Sequence, residues 1–149
     1  PMNSSAASDV YKRQLLAASA RLGAPIGHDF CVINLSDNLK SWDILKSRVI
    51  AAAKADFVIA FYNPRSKSRK NQLSEIYDVL RKNCKSDRIV IYANSISTES
   101  EAVFETTLSE ADASSVSMKT LVIIGSSRTK KIRNTGYIYT PRYSGVEKN

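Results

Sequence analysis

The chain has 149 residues, of which 43% are hydrophobic and 24% charged, which suits one domain around one core and excludes a disordered chain. Lys and Arg outnumber Asp and Glu by 22 to 14, a formal net charge of +8 that suits an anionic partner: nucleic acid, an acidic membrane surface or a carboxylate-rich metabolite. No apolar run approaches the roughly 20 residues that span a bilayer, a single histidine rules out a His-rich metal site, and Cys31 and Cys84 form no CxxC pair and are expected as reduced thiols.

Residues 1–14, PMNSSAASDVYKRQ, show no clear apolar face and are expected as a frayed terminus that becomes helical near Leu15. Leu15 to Leu22 is rich in good helix formers, and Gly23 with Pro25 stops the helix. Phe30 to Ile33 reads as a short buried strand. A second helix should start near Ser41, because Trp42, Leu45, Val49 and Ala52 fall on one face. Phe57 to Tyr62 is apolar without alternation, the mark of a strand covered on both sides.

That strand turns at Asn63-Pro64 into a loop carrying Arg65, Lys67, Arg69 and Lys70. A third helix is expected from about Lys70 to Asn83, with Leu73, Ile76, Tyr77 and Leu80 on one face. Ile89 to Tyr92 is the third strand. Thr98-Glu99-Ser100-Glu101 has the form of a capping box, so a fourth helix carrying Val103, Phe104 and Leu108 is expected after it. Met118 to Ile124 is the fourth strand. Asn134-Thr135-Gly136 reads as a turn before a short strand at Tyr137 to Tyr139. Helices alternating with strands predict a layered α/β domain with a mostly parallel mixed sheet. Right-handed crossovers would put the loops after Tyr62, Tyr92 and Ile124 along one edge, where open α/β sheets hold ligands.

Catalytic signals are few. There is no GxSxG elbow, no GxxxxGK[ST] phosphate loop and no GxGxxG fingerprint, and His28 beside Asp29 reads as structural. Two loops stand out. In Asn63–Lys70, Arg can grip a carboxylate with two parallel hydrogen bonds and Lys adds a mobile charge; the competing reading is a solvated basic surface. In Gly125-Ser126-Ser127-Arg128-Thr129, glycine would let backbone approach a ligand closely and its neighbours add hydroxyl and guanidinium donors; the competing reading is a plain turn.

Several blocks together resemble the precorrin-3B C(17)-methyltransferases and cobalt-factor III methyltransferases of the tetrapyrrole methylase family. They are Leu22–Phe30, Ile33-Asn34-Leu35-Ser36-Asp37, Ala55–Lys67 with its Tyr-Asn-Pro-Arg-Ser core, Thr120–Thr129 with Gly-Ser-Ser-Arg-Thr, and Tyr139–Tyr143. The resemblance implies two α/β domains with S-adenosylmethionine between them. Residues 15–143 would be the second, C-terminal domain. Residues 1–14 match poorly, and residues 144–149 form a tail. The Gly-rich start and Gly-Asp-Pro-type loop of the first domain are not in this sequence, so the isolated fragment is expected to be inactive.

The activity implied is S-adenosylmethionine-dependent methyl transfer to C-17 of a precorrin or cobalt-precorrin, with ring contraction, in cobalamin biosynthesis. By similarity, Asn63, Gly125 and the Ser5-Ala6 pair would lie against the cofactor. Arg65, Ser66, Lys67, Ser127, Arg128 and Thr129 would meet the carboxylate-bearing substrate. Tyr92–Ser97 departs from the Arg-Asn-Ala-like block usual in the family. No catalytic residue is assigned and no metal is expected. A cytoplasmic enzyme, homodimeric at full length, with a tetrapyrrole as partner and neither nucleic acid nor membrane, would follow. The alternatives are a basic nucleic-acid-binding module, against which the lack of aromatic residues among the cations counts, and a non-catalytic interaction domain.

Overall fold

The computed structural model describes residues 4–36, 40–65, 69–114 and 116–142, with side chains from Asp9 onward. The central feature is β3 (Val58–Tyr62), all five residues of which are apolar and buried. Its side chains alternate between two faces. Ile59 and Phe61 pack with α2 (Trp42–Lys54) and α3 (Gln72–Asn83), while Val58, Ala60 and Tyr62 pack under α1 (Ser4–Leu22). The same split divides β4 (Ile89–Asn94), with Val90 and Tyr92 on one side and Ile91 and Ala93 on the other. It also divides β6 (Thr120–Ile124) into Val122 and Ile124 against Leu121 and Ile123. One helix therefore covers one face of the sheet and two cover the other.

The helices follow local chemistry. The Ser41 hydroxyl caps α2 by accepting from the Ile44 N–H at 3.4 Å, and Asp43 and Lys54 suit the dipole at either end. Leu73, Ile76, Tyr77 and Leu80 form the buried stripe of α3. Arg81 ends this helix by donating to the carbonyls of Leu108 (3.0 Å) and Ala111 (2.8 Å). Below it the Tyr77 hydroxyl donates to Tyr92 (2.8 Å), whose own hydroxyl donates to the Asp112 carbonyl (3.1 Å). Burial raises both phenols above their ordinary pKa. The N-terminal helix begins at Ser4 rather than near Leu15, because Tyr11 finds a partner in the ring of Tyr62, 5.2 Å away.

The main sheet has the order β2-β3-β6-β4-β5, with β2 at Phe30–Asn34 and β5 at Ala102–Thr107. The layered α/β class with a mixed sheet holds, but the expected parallel majority does not. In this sheet, among the described residues, only β2 and β3 are parallel; β3–β6, β6–β4 and β4–β5 are antiparallel. The crossovers through α2 and α3 do leave β2, β3 and β4 pointing the same way. The fourth predicted strand, β6, enters between β3 and β4 in the opposite sense.

The helix expected after Thr98 is a strand. Thr98 to Glu101 closes a turn instead: Glu101 N–H donates to the Thr98 carbonyl (3.1 Å), and the Glu101 carboxylate accepts from the Ser97 N–H (2.7 Å). The carboxylate reaches back as in a capping box, but to a loop in which Ser95 and Ser97 have φ of 49° and 66°. Val103, Phe104, Thr106 and Thr107 are good strand formers. They pair with β4 along its whole length, and Phe104 stacks on its cross-strand partner Tyr92 at 4.6 Å.

A smaller sheet, β1-β8-β7, is made of Gly23–Ala24, Ile138–Tyr139 and Lys130–Lys131. The expected turn joins β7 to β8, with Asn134 and Gly136 at positive φ. Gly23 has φ +112°, and a Cβ there would stand 2.9 Å from the Ile138 carbonyl oxygen. Both cysteines are free, and no helix of the described residues is long and apolar enough to cross a membrane.

Candidate functional site

The topology gives the sheet two chemically different rims. At the first, β2, β3 and β4 end and β6 begins. Here the residues are Asn34, Asn63, Thr120 and Asn94, in that order across the sheet: Asn34 is in register with Tyr62, Asn94 with Thr120, and the β3–β6 register carried past Phe61–Val122 brings Asn63 opposite Thr120. Apolar strands thus terminate in a row of amides and a hydroxyl. The Asn63 Nδ2 donates to Asn34 Oδ1 (3.1 Å), which also accepts from the Ser36 N–H (2.9 Å). The Thr120 hydroxyl donates to Asn94 Oδ1 and accepts from the Ser117 N–H at 3.0 Å.

Backbone strain gathers on this rim. Asn63 (φ 52°), Ser95 and Ser97 all occupy the left-handed region, which costs a non-glycine residue on the order of 1–3 kcal/mol. Asparagine and its polar short-chain relatives tolerate that region best. Pro64 is buried and Arg65 is half-buried. Its guanidinium donates to the Ser114 carbonyl at 2.8 Å. Bonds from the Ser114 hydroxyl and N–H in turn hold the Asp112 carboxyl below the usual carboxylate range. Beside the rim lies a cavity of about 330 Å³, the low end for small-molecule sites. Val10, Tyr11 and Gln14 of α1 line one side, and Ser95, Ile96, Thr98 and Lys119 line the rest.

The second rim, where β6 ends and β3 and β4 begin, is a hydrogen-bonded network around Arg88, whose Nε is buried without a partner among the described residues. Asp56 (φ 60°) accepts from Arg88 (2.7 Å), the Ser127 N–H (2.8 Å) and the Ser127 hydroxyl (2.6 Å). Arg88 also reaches the carbonyls of Gly125 and Ala53, each at 3.4 Å. The Thr129 hydroxyl accepts from the Ser126 N–H at 2.8 Å and lies 2.8 Å from that of Thr140. The space that a Cβ on Gly125 would need is filled by Thr129, whose atoms would stand 2.7–2.9 Å away.

The residues singled out in the sequence therefore divide. Asn63 and Arg65 lie on the first rim. Gly125, Ser127, Arg128 and Thr129 lie on the second. This corrects the expectation that the loop after Ile124 shares an edge with those after Tyr62 and Tyr92: because β6 is antiparallel to both neighbours, its end is their beginning. Asn63 and Gly125 are five strand positions apart, or about 16 Å. Ser66 and Lys67 lie outside the described residues. Ser5 and Ala6 belong to the first turns of α1, upstream of the Tyr11 that stacks on Tyr62.

Asn34, Asn94, Thr120 and Lys119 were missed as site residues. One sequence signal could have found the amides: Asn34, Asn63 and Asn94 each close or directly follow an apolar strand. Among the described residues several cations are already engaged. Arg65, Arg81 and Arg88 donate to carbonyls, and Lys131 pairs with Glu105. Among the described residues no group of three His, Cys, Asp or Glu could hold a metal ion.

Comparison with known proteins agrees with this architecture. The profile of the tetrapyrrole (corrin/porphyrin) methylases matches residues 14–112. A precorrin-3B C(17)-methyltransferase of Sinorhizobium sp is 46% identical over 132 residues, covering 87% of this chain and 52% of that protein. A probable cobalt-factor III C(17)-methyltransferase of Salmonella typhimurium is 41% identical, over 85% of this chain and 52% of its own length. The crystal structure of the methyltransferase CobJ superposes with a TM-score of 0.81 at 43% identity, over 85% of this chain and 52% of that one. The cobalt precorrin-4 methyltransferase CbiF, at 15% identity and a TM-score of 0.55, shares the fold. The chain spans about half the length of the curated relatives it matches. The domain built around β3 and its amide rim thus belongs to the tetrapyrrole methylase family.

Proposed function

We propose that this chain supplies one wall of an S-adenosylmethionine-dependent methyltransferase acting on C-17 of precorrin-3B or cobalt-factor III, with ring contraction, in cobalamin biosynthesis. The observation that carries the reading is the first rim. The Tyr-Asn-Pro-Arg run ends the central strand there, and its asparagine stands in a left-handed conformation with its side chain donating to a second asparagine. S-adenosylmethionine, when bound, supplies an electrophilic methyl group; the methyl passes to carbon and the sulfur keeps the bonding electron pair.

The chain's own contribution is positioning, which alone can lower a barrier substantially. Asn63 faces the methyl donor, with Ser5 and Ala6 near it at the start of α1. Arg65 meets the acetate and propionate carboxylates of the macrocycle, which suit cationic donors, and family resemblance gives Ser66 and Lys67 the same role. Gly125, Ser127 and Thr129 on the second rim serve the fold, since their partners are Asp56, Ser126, Thr140 and each other. The rest of the cleft would come from a facing domain of the kind the longer relatives have room for, and the assembled enzyme would be a homodimer.

The test is a fusion of the N-terminal half of the Sinorhizobium relative to this chain, supplied with methyl-labelled S-adenosylmethionine and precorrin-3B or cobalt-factor III. Label should appear in the tetrapyrrole. A folded fusion that transfers none to either substrate overturns the reading.

A further inference from the structure

We infer that Asn34 is a positioning residue that fixes the polarity of the site, by engaging the Asn63 amide nitrogen so that the amide oxygen is left to accept from a ligand; this rests on the reading above. The chain of hydrogen bonds decides the orientation without ambiguity of sense. The Ser36 backbone N–H can only donate, so the Asn34 atom 2.9 Å from it is the oxygen Oδ1. That same oxygen is 3.1 Å from the Asn63 side chain, so the Asn63 atom facing it is the nitrogen Nδ2. The Asn63 Oδ1 is therefore turned away from Asn34, and no described residue donates to it.

Both residues are pinned. Asn34 closes β2 in register with Tyr62, and the next N–H, Leu35, continues the ladder to the Tyr62 carbonyl at 3.1 Å. Asn63 is held at φ 52° immediately before a proline, a position where few conformations are open. With its backbone fixed and one amide hydrogen engaged, its side chain cannot turn over without stranding two acceptors face to face. An acceptor oxygen held this way selects a donor: an ammonium, an exocyclic amine or a ribose hydroxyl, all present on S-adenosylmethionine. It repels a carboxylate. Asn63 is thereby assigned to the methyl donor, and the substrate's carboxylates are left to cations such as Arg65.

The test uses the chain itself, ¹⁵N-labelled and titrated with S-adenosylhomocysteine to millimolar concentration, where a half-built pocket still registers. The side-chain amide signals of Asn34 and Asn63 should move together. Asn34→Leu should weaken binding about tenfold, the worth of one oriented hydrogen bond. Asn34→Asp, which keeps the accepting oxygen, should restore most of the affinity. In the fusion enzyme, Asn34→Leu should raise KM for S-adenosylmethionine and leave KM for the tetrapyrrole unchanged, a split that loosened packing would not produce. The inference is overturned if Asn34→Leu folds and binds as wild type does, if the ligand binds without moving the Asn63 amide, or if the wild-type chain shows no shift at all. Methyl transfer by the fusion decides the broader reading separately.

Discussion

Asp56→Ala should destabilise the domain more than Arg88→Met, although the two residues form one ion pair. The Asp56 carboxylate and the Arg88 guanidinium are 2.7 Å apart, but the Arg88 side chain is 5% exposed and that of Asp56 is 39% exposed. Removing Asp56 strands a buried cation, a loss of about 3–5 kcal/mol for broken buried pairs. It also places alanine at φ 60°, adding about 1 kcal/mol, and frees both donors of Ser127. Removing Arg88 in favour of a side chain of similar length leaves a carboxylate that water can reach and frees two carbonyls that it holds only at 3.4 Å, for a loss of about 1–2 kcal/mol. In a domain of this size each kcal/mol is worth about 2–4 °C in Tm, so Asp56→Ala should melt at least 8 °C below wild type. Urea unfolding of both variants and of the double variant gives the coupling energy directly. S-adenosylhomocysteine binding should be unaffected, because the pair sits on the rim opposite Asn63. An Arg88→Met loss equal to or greater than that of Asp56→Ala would show that the stranded cation is not the dominant cost.

Gly125→Ala should cost about 1–3 kcal/mol through the clash with Thr129, visible as a lower urea midpoint, with ligand affinity unchanged. Tyr77 and Tyr92 have folded pKa values raised above the ordinary phenol value, chiefly by burial. Their contribution is therefore complete below about pH 10 and falls as pH rises beyond it. Tyr77→Phe should lower stability near pH 8 by about 1 kcal/mol and flatten that alkaline decline. Burial pushes the Cys31 thiol up to about 11. A disulfide reagent at pH 8 should label it slowly in the folded chain and promptly in urea.

How much of this was legible beforehand differs element by element. The capping serine of α2, the stripe of α3 and the buried run of β3 are local signals, and each lands where its residues place it. The β5 strand was misread because Thr98 and Glu101 carry the same residue types as a capping box while closing a different turn. The direction of β6 has no local signature, since a strand covered on both faces is apolar whichever way it runs. That one ambiguity moved Gly125–Thr129 to the wrong rim. The role of Asn34 was hidden for a related reason: its partner lies 29 residues away, and only the β2–β3 register brings the two amides together.

The insertion of β6 also sets the order in which the chain can assemble. The strand at the middle of the sheet is encoded after every other strand of that sheet. During synthesis β3 and β4 must wait with open edges along Ile59–Phe61 and Val90–Asn94 until residues 120–124 emerge. Until then the nascent domain presents two unpaired apolar strands at once, the surface that invites mispairing. Closure then comes in one long-range step, which makes folding slow relative to a domain whose neighbours in sequence are neighbours in space. A truncation anywhere before Thr120 would leave no centre for the sheet to close around.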